Sequence, residues 1–275
     1  MMDALTFLGP AFAMCVVIAT LHVWLGMHVL AREVIFVDLS LAQLAAFGAT
    51  AATIAIADEG DPWTARAGAL LFTFAGAALF AFTRRIRKHV SEEAIVGITY
   101  AVSSALTVLV VSQSPHGAEH IKDILVGSLL VVEWDQVGAT AAAYVVLGAL
   151  HVVWRQRLVR MSWHPDVSER EMKHVELWDF VFYLLFGIAI TMSVQVAGVL
   201  LVFSYLIVPA VITRLYSERL LVRLIAGWGI AVVGSVTGLA ASWAWDLPTG
   251  AAVVAALGLL VPIGAAGRLL PRKRP

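Results

Sequence analysis

The feature that most constrains this chain is a series of nine apolar stretches, at 5–30, 34–57, 65–83, 94–112, 137–154, 179–197, 199–214, 221–243 and 249–267. A bilayer core about 30 Å thick is crossed by roughly 20 residues of helix, and most of these stretches have that length. In hydrocarbon every backbone N–H and C=O must be satisfied within the protein, so such segments are expected as α-helices. The expected fold is therefore all-α, a polytopic transmembrane helix bundle of about nine spans forming a single domain over residues 1–275. The seventh stretch is short and only Gly198 separates it from the sixth, which predicts a broken or re-entrant helix pair near 179–214. The first stretch lacks a basic leader and a small-residue cleavage pattern, so it is expected as a retained helix and not a signal peptide.

Composition agrees. Apolar residues make up 60% of the chain, charged residues 14%, and mean hydropathy is +0.87. A soluble domain carries roughly 25% charged residues, so an ordinary soluble enzyme and a disordered chain are both excluded. Nineteen cations balance nineteen anions, leaving no basic excess for nucleic acid. With the N-terminus outside, seventeen of the nineteen Lys and Arg residues fall on inner segments and only Arg66 and Lys122 lie outside. Cations accumulate on the cytoplasmic side, so nine crossings of the cytoplasmic (inner) membrane with the C-terminus inside are expected. The outer segments are acidic, which could concentrate cations or dock a basic partner, or could simply follow from the exclusion of cations there. The lone cysteine, Cys15, has no disulfide partner and reads as a small core hydrophobe.

Four segments carry further information. They are Leu41-Ala-Gln-Leu-Ala-Ala-Phe-Gly48, Glu93-Ala-Ile-Val-Gly-Ile98, Ile121-Lys-Asp-Ile-Leu-Val-Gly-Ser-Leu-Leu-Val-Val-Glu-Trp134, and Gln195-Val-Ala-Gly-Val-Leu-Leu-Val-Phe-Ser-Tyr-Leu-Ile-Val-Pro-Ala-Val-Ile-Thr-Arg214. In this order they resemble the integral-membrane permease of the ATP-binding-cassette importers for divalent metals, the zinc/manganese/iron family. The resemblance implies a homodimer of permeases with a pathway at or near the interface, a cytoplasmic ATPase pair, and an extracytoplasmic metal-binding protein that delivers the ion. It also implies that the permease is not an enzyme and binds no cofactor of its own, with ATP held by the partner subunit. The chain contains no G-x-x-x-x-G-K-[ST] phosphate loop, in keeping with nucleotide chemistry on another subunit.

In the family's second helix an Asp and a His four residues later line the metal path. Here the resemblance puts Gln43 at the His position and Leu39 at the Asp position, with Asp38 displaced by one residue, a rotation of about 100° on a helix. An amide oxygen is a poorer zinc ligand than imidazole but suits harder cations. Depth arithmetic offers a replacement: His22 lies eight residues up from the inner end of its span and Gln43 nine, about 12 Å and about 13.5 Å. His22 and Gln43 are thus the candidate metal-contacting residues of the path, with Ser40 and Tyr205 as further lining groups. The alternative is that His22 and Gln43 only hydrogen-bond between helices.

In the outer loop 114–123, His116, Glu119, His120 and Asp123 lie within eight residues and form a candidate entry site for a cation, or a polar loop without a role. Glu133 and Asp135 belong to the same acidic mouth. His28, His89 and His151 fall near the inner interface and read as ordinary amphipathic side chains. The longest inner loop, 155–178, has room for an amphipathic helix, and its Pro165, Asp166 and Ser168 resemble the family's ATPase-coupling helix. Pro165 suits the first turn of a helix and Asp166 its positive end. The expected function is import of zinc, manganese or iron by alternating access. The alternatives are an ABC permease for a different small substrate, or a stand-alone ion-coupled transporter, although no internal repeat is evident.

Overall fold

The computed structural model describes residues 4–56, 62–86, 89–112 and 127–269, and among these it holds eleven α-helices, one 3₁₀ turn and no strand. The helices are α1 (Ala4–Arg32), α2 (Val37–Ile56), α3 (Pro62–Thr83), α4 (Glu92–Val111), α5 (Trp134–Val153), α6 (Arg155–Trp163), α7 (Pro165–Glu171), α8 (Val175–Ala197), α9 (Val199–Arg214), α10 (Leu220–Trp245) and α11 (Thr249–Leu269). The 3₁₀ turn spans Leu129–Val131. Eight helices are long and apolar enough to cross a membrane, and α9, at 16 residues, is a shorter apolar helix. At 1.5 Å per residue α9 reaches only about 24 Å, short of a hydrocarbon core of about 30 Å.

Helix ends extend beyond the apolar stretches wherever polar residues find partners. The sixth stretch is expected to start at 179, yet α8 starts at Val175. Its added turn carries Glu176, which pairs with Arg85. Likewise α4 starts at Glu92, because Ser91 in an extended conformation accepts a hydrogen bond from the Ala94 N–H. That is ordinary N-capping, and it satisfies one of the free donors of a helix start.

The expected break between the sixth and seventh stretches is present. Gly198 stands between α8 and α9 with φ 77° and ψ 159°, a region that only glycine occupies readily. The gap is closed by the chain before the 3₁₀ turn. There the Ser128 N–H donates to the Val196 carbonyl at 3.0 Å, and Gly127, itself at φ 69°, sits so close that a Cβ would lie 2.4 Å from Ala197 and Gly198 backbone atoms. Two of the four family-like segments thus meet at backbone level, which explains the glycine in each.

The chain divides into two compact units. Unit one comprises Met1–Leu30, Val126–Tyr144 and Val196–Pro275, and unit two comprises Ala31–Leu125 and Val145–Gln195. Within unit one, α1 approaches α9 so closely that a Cβ on Gly26 would sit 1.8 Å from the Leu206 carbonyl oxygen. Helices α10 and α11 close through Gly234 against Leu257 and Gly238 against Val253. Within unit two, α2 packs on α3 and α4. Gly48 and Gly68 face each other, with virtual Cβ positions 2.4 Å and 2.2 Å from the opposing carbonyl oxygens. The small residues of α2 therefore serve an internal helix crossing, as small residues do where lipid-embedded backbones must touch. Large apolar side chains such as Leu71, Val145, Val153, Leu221 and Leu259 are exposed, as expected of lipid-facing surfaces, and Cys15 is fully buried.

Candidate functional site

The polar residues of α2 lie in unit two. Ser40 and Gln43 are both buried and three residues apart, so they share one side of the helix. The Ser40 hydroxyl, one residue before the family-like segment of α2, donates to the Val96 carbonyl of the family-like segment in α4 at 2.6 Å. Asp38, in the first turn of α2, is 2% exposed, and its Oδ1 has no hydrogen-bond partner. Glu93, in the first turn of α4, accepts from the Ile35 and Phe36 backbone N–H groups and acts electrostatically on Asp38. Its second oxygen, Oε2, is buried without a partner. The starts of α2 and α4 thus bring together two carboxylates, each with an uncommitted oxygen. Such oxygens can ligate a hard divalent cation. Among the described residues no three His, Cys, Asp or Glu side chains gather into a metal cage.

His22 and Tyr205 lie in unit one, apart from this α2 group. His22 is fully buried in α1, its Nδ1–H directed at the Ile18 carbonyl at 2.9 Å and its ring stacked on Tyr144 with centroids 6.0 Å apart. Protonation on Nδ1 leaves the lone pair, and hence any metal-ligating capacity, on Nε2. Tyr205 is fully buried in α9 and shares a 2.6 Å hydrogen bond with Ser235 of α10, whose own hydroxyl donates to the Ala231 carbonyl. Its hydroxyl is committed to a helix–helix contact.

Unit two also holds a charged network that the sequence reading did not anticipate. Asp179 of α8 accepts from Arg32 at the end of α1, Nη1 to Oδ1 at 2.8 Å, and from Arg84 just past α3, through Nε to Oδ2. Arg84 reaches on to Glu169 of α7 at 3.2 Å, and Arg32 donates from Nε to Ser162 of α6 at 2.9 Å. The Arg32 guanidinium also lies 4.0 Å from the centre of the Phe182 ring. Beside it the Tyr183 hydroxyl donates to Glu92 of α4. Side-chain exposures of 7% for Arg32, 11% for Arg84 and 4% for Asp179 mark this as a buried network, whereas the neighbouring bidentate pair of Arg85 and Glu176 is exposed. The hydrogen bonds that Arg85 donates to the Glu176 carboxylate push its guanidinium pKa up. In sequence Arg32 and Arg84 count only as inner-loop cations. The available signal was Asp179 at the head of an apolar stretch, since a carboxylate at that place needs a cation.

The inner loop forms two helices, α6 and α7, joined at His164. Pro165 occupies the first turn of α7, Asp166 follows it, and Ser168 is fully buried with its hydroxyl donating to the His164 carbonyl at 3.0 Å. The expected coupling residues therefore do lie on a short helix, which Glu169 ties to Arg84. His116, Glu119, His120 and Asp123 lie outside the described residues. Glu133 and Asp135 are exposed at the start of α5. His28 and His151, read from sequence as interfacial, are instead buried. His151 makes a 2.8 Å bond from Nδ1 to the Leu147 carbonyl while its Nε2 is buried without a hydrogen-bond partner, and His28 packs edge-on to Trp24.

Comparison with known proteins adds four findings. The model of the ABC 3 transport family matches residues 4–266. A protein of Thermotoga maritima named "Probable metal transport system membrane protein" is 26% identical over 255 residues, 90% of this chain and 86% of the relative. The manganese transport system membrane protein MntC of Listeria monocytogenes is 23% identical over 187 residues, 68% of this chain and 66% of the relative. Among solved structures, a chain of PsaBC from Streptococcus pneumoniae in complex with Fab superposes with a TM-score of 0.78 at 19% identity, covering 95% of this chain and 93% of that one.

Proposed function

Because this chain belongs to the ABC 3 transport family, we propose that it is the membrane-spanning permease of an ATP-binding-cassette importer for a divalent metal cation, with manganese as the preferred cargo. A multi-pass membrane protein of a transport family is a transport subunit and not an enzyme. ATP hydrolysis is assigned to a separate cytoplasmic ATPase, metal delivery to an extracytoplasmic binding protein, and the working form to a homodimer in the cytoplasmic (inner) membrane. The observation that carries this reading is the family match over residues 4–266.

The choice of manganese rests on donor chemistry. Gln43 replaces an imidazole with an amide oxygen, while Asp38 and Glu93 each keep a buried oxygen without a hydrogen-bond partner. Carboxylate and amide oxygens suit manganese better than zinc, which favours nitrogen and sulfur. Relatives named for manganese transport agree with this. In unit two Gln43, Asp38 and Glu93 are proposed to contact the passing ion, with Ser40 holding α2 to α4; in unit one His22 is proposed separately as an ion contact and Tyr205 as a residue that holds α9 to α10. In alternating access, ATP binding and hydrolysis below shift the permease between two conformations. The force enters through Pro165, Asp166 and Ser168 of α7, and through Glu169 to Arg84, Asp179 and Arg32. The outer loop with His116, Glu119, His120 and Asp123 is proposed as the first cation contact.

The test is the elemental content of cells lacking this chain and of cells overproducing it with its ATPase, at limiting external metal. A selective rise in manganese, abolished by an inactive ATPase, is expected. A rise in zinc alone would overturn the cargo assignment, and no change in any divalent metal would overturn the import reading.

A further inference from the structure

Unit two contains a cleft that the transport reading does not use. Gln156, Arg157 and Arg160 of α6, Met172, Lys173 and His174 of the link between α7 and α8, and Trp178 of α8 line an open cleft of about 440 Å³. Arg160 is paired with the Glu171 carboxylate. Among the described residues neither Arg157 nor Lys173 takes part in an ion pair. The Arg157 guanidinium lies 4.4 Å from the centre of the Trp178 ring, and Trp178 meets Trp154 edge to face with centroids 5.6 Å apart. The cleft therefore presents two uncompensated cations and a histidine on a floor of indole.

We infer that this cleft binds the phosphodiester headgroup of an anionic phospholipid. Its depth points to that occupant. Trp154 directly follows the apolar span Trp134–Val153, and Trp178 lies three residues inside the span Val175–Ala197, about 4.5 Å along the helix. Indole rings at the ends of two spans mark the level at which hydrocarbon gives way to headgroups. Basic pockets between membrane helices at this level recognise lipid phosphates. The surface just toward the membrane is apolar and open: Val152, Val153 and Leu177 are 67%, 74% and 57% exposed. Acyl chains would cover that surface, whereas a free phosphate or an acidic protein segment would leave it bare. Arg157, over the Trp178 ring, offers a planar fork to phosphate oxygens, and Lys173 offers a point charge. The Arg160–Glu171 pair limits the net charge of the pocket, which suits a headgroup with a single negative charge. The inference uses none of the proposed path residues and is independent of the cargo.

The test is native mass spectrometry of the full permease with its ATPase in neutral detergent, titrated with phosphatidylglycerol, with phosphatidylcholine or with inorganic phosphate. The wild type is expected to retain phosphatidylglycerol saturably and phosphatidylcholine weakly. Each cation near a membrane surface is worth about fivefold in affinity for anionic lipid, so R157Q/K173Q should bind about 25-fold more weakly. R157K/K173R keeps both charges but loses the guanidinium over Trp178, so it should bind between the wild type and R157Q/K173Q, and thermal melting of all three proteins should coincide. Unchanged lipid retention in R157Q/K173Q would overturn the inference. Inorganic phosphate displacing the lipid at equal concentration would show a free-anion site instead. Loss of the ATPase from R157Q/K173Q without change in lipid binding would show a protein-docking surface instead.

Discussion

Replacing Asp179 with asparagine should destabilise the permease far more than any change to the exposed ion pair beside it. Both carboxylate oxygens of Asp179 are engaged, one by Arg32 and the other by Arg84, and all three side chains are at most 11% exposed. Asparagine keeps the shape but removes the charge: its oxygen can serve one guanidinium, and its amide then points donors at the other. Of carboxylates, Arg84 then keeps only its 3.2 Å contact with the part-exposed Glu169, and Arg32 only the electrostatic influence of Glu92. Removing one partner of a buried pair costs about 3–5 kcal/mol. At roughly 2–4 °C per kcal/mol for a chain of this size, even the lower figure predicts a fall of about 6–12 °C in apparent Tm. Melting in detergent, followed by loss of the monodisperse species on size exclusion, would measure it. Arg85→Gln is the internal reference, because its pair with Glu176 is solvent-exposed and should hardly move the transition. The triple change Arg32→Met, Arg84→Met and Asp179→Leu should recover most of the loss, since it removes the whole charged set. A Tm for Asp179→Asn within 2 °C of the wild type, or one matched by Arg85→Gln, would refute the reasoning.

Other expectations are as direct. Glu169→Gln should leave Tm nearly unchanged, because that side chain is about one-third exposed, yet it should lower the amount of metal moved per ATP hydrolysed in proteoliposomes, since it cuts the link from α7 to Arg84. Gly26→Ala should abolish the monodisperse species, because its Cβ would meet the Leu206 carbonyl at 1.8 Å, whereas Gly97→Ala, with nothing within 4 Å, should raise Tm through a gain of about 0.5–1 kcal/mol in helix propensity. Asp38→Asn and Gln43→Ala should each reduce manganese uptake at least tenfold at unchanged expression, read by isotope accumulation; undiminished uptake in both would remove α2 from the path. His22→Ala should abolish uptake in the same assay, and unaltered uptake would show that His22 serves only helix packing.

Much of the fold was legible because a bilayer leaves few choices. The nine apolar stretches return as eight span-length helices and the short α9, and the break at Gly198 lies where the sequence expects it. The errors lie at helix starts. Helix α8 begins four residues early because Glu176 and Asp179 find Arg85, Arg32 and Arg84, and a hydropathy window cannot see cations 91 or more residues away. Of the candidate site, the sequence reads polar residues within the spans, and Gln43, Ser40, His22 and Tyr205 are all buried, which fits lining and packing alike. Depth arithmetic cannot see that Tyr205 spends its hydroxyl on Ser235 and Ser40 its own on Val96, because those partners come from other helices.

Sequence by itself determined the class, helical and membrane-embedded, because that follows from length and polarity along the chain, which are local quantities. It also carried the family through four short segments. Tertiary structure decided why those segments hold the residues they do. Gly127 and Ser128 close the gap at Gly198, Ser40 bonds to Val96, and Gly48 abuts Gly68. Tertiary structure alone also turned Arg32, Arg84 and Asp179 from a count of loop charges into one buried network reaching α7 through Glu169. The physical reason is the same in each case: a hydrogen bond or ion pair between distant residues depends on where their helices cross, and no periodicity in the sequence encodes that crossing.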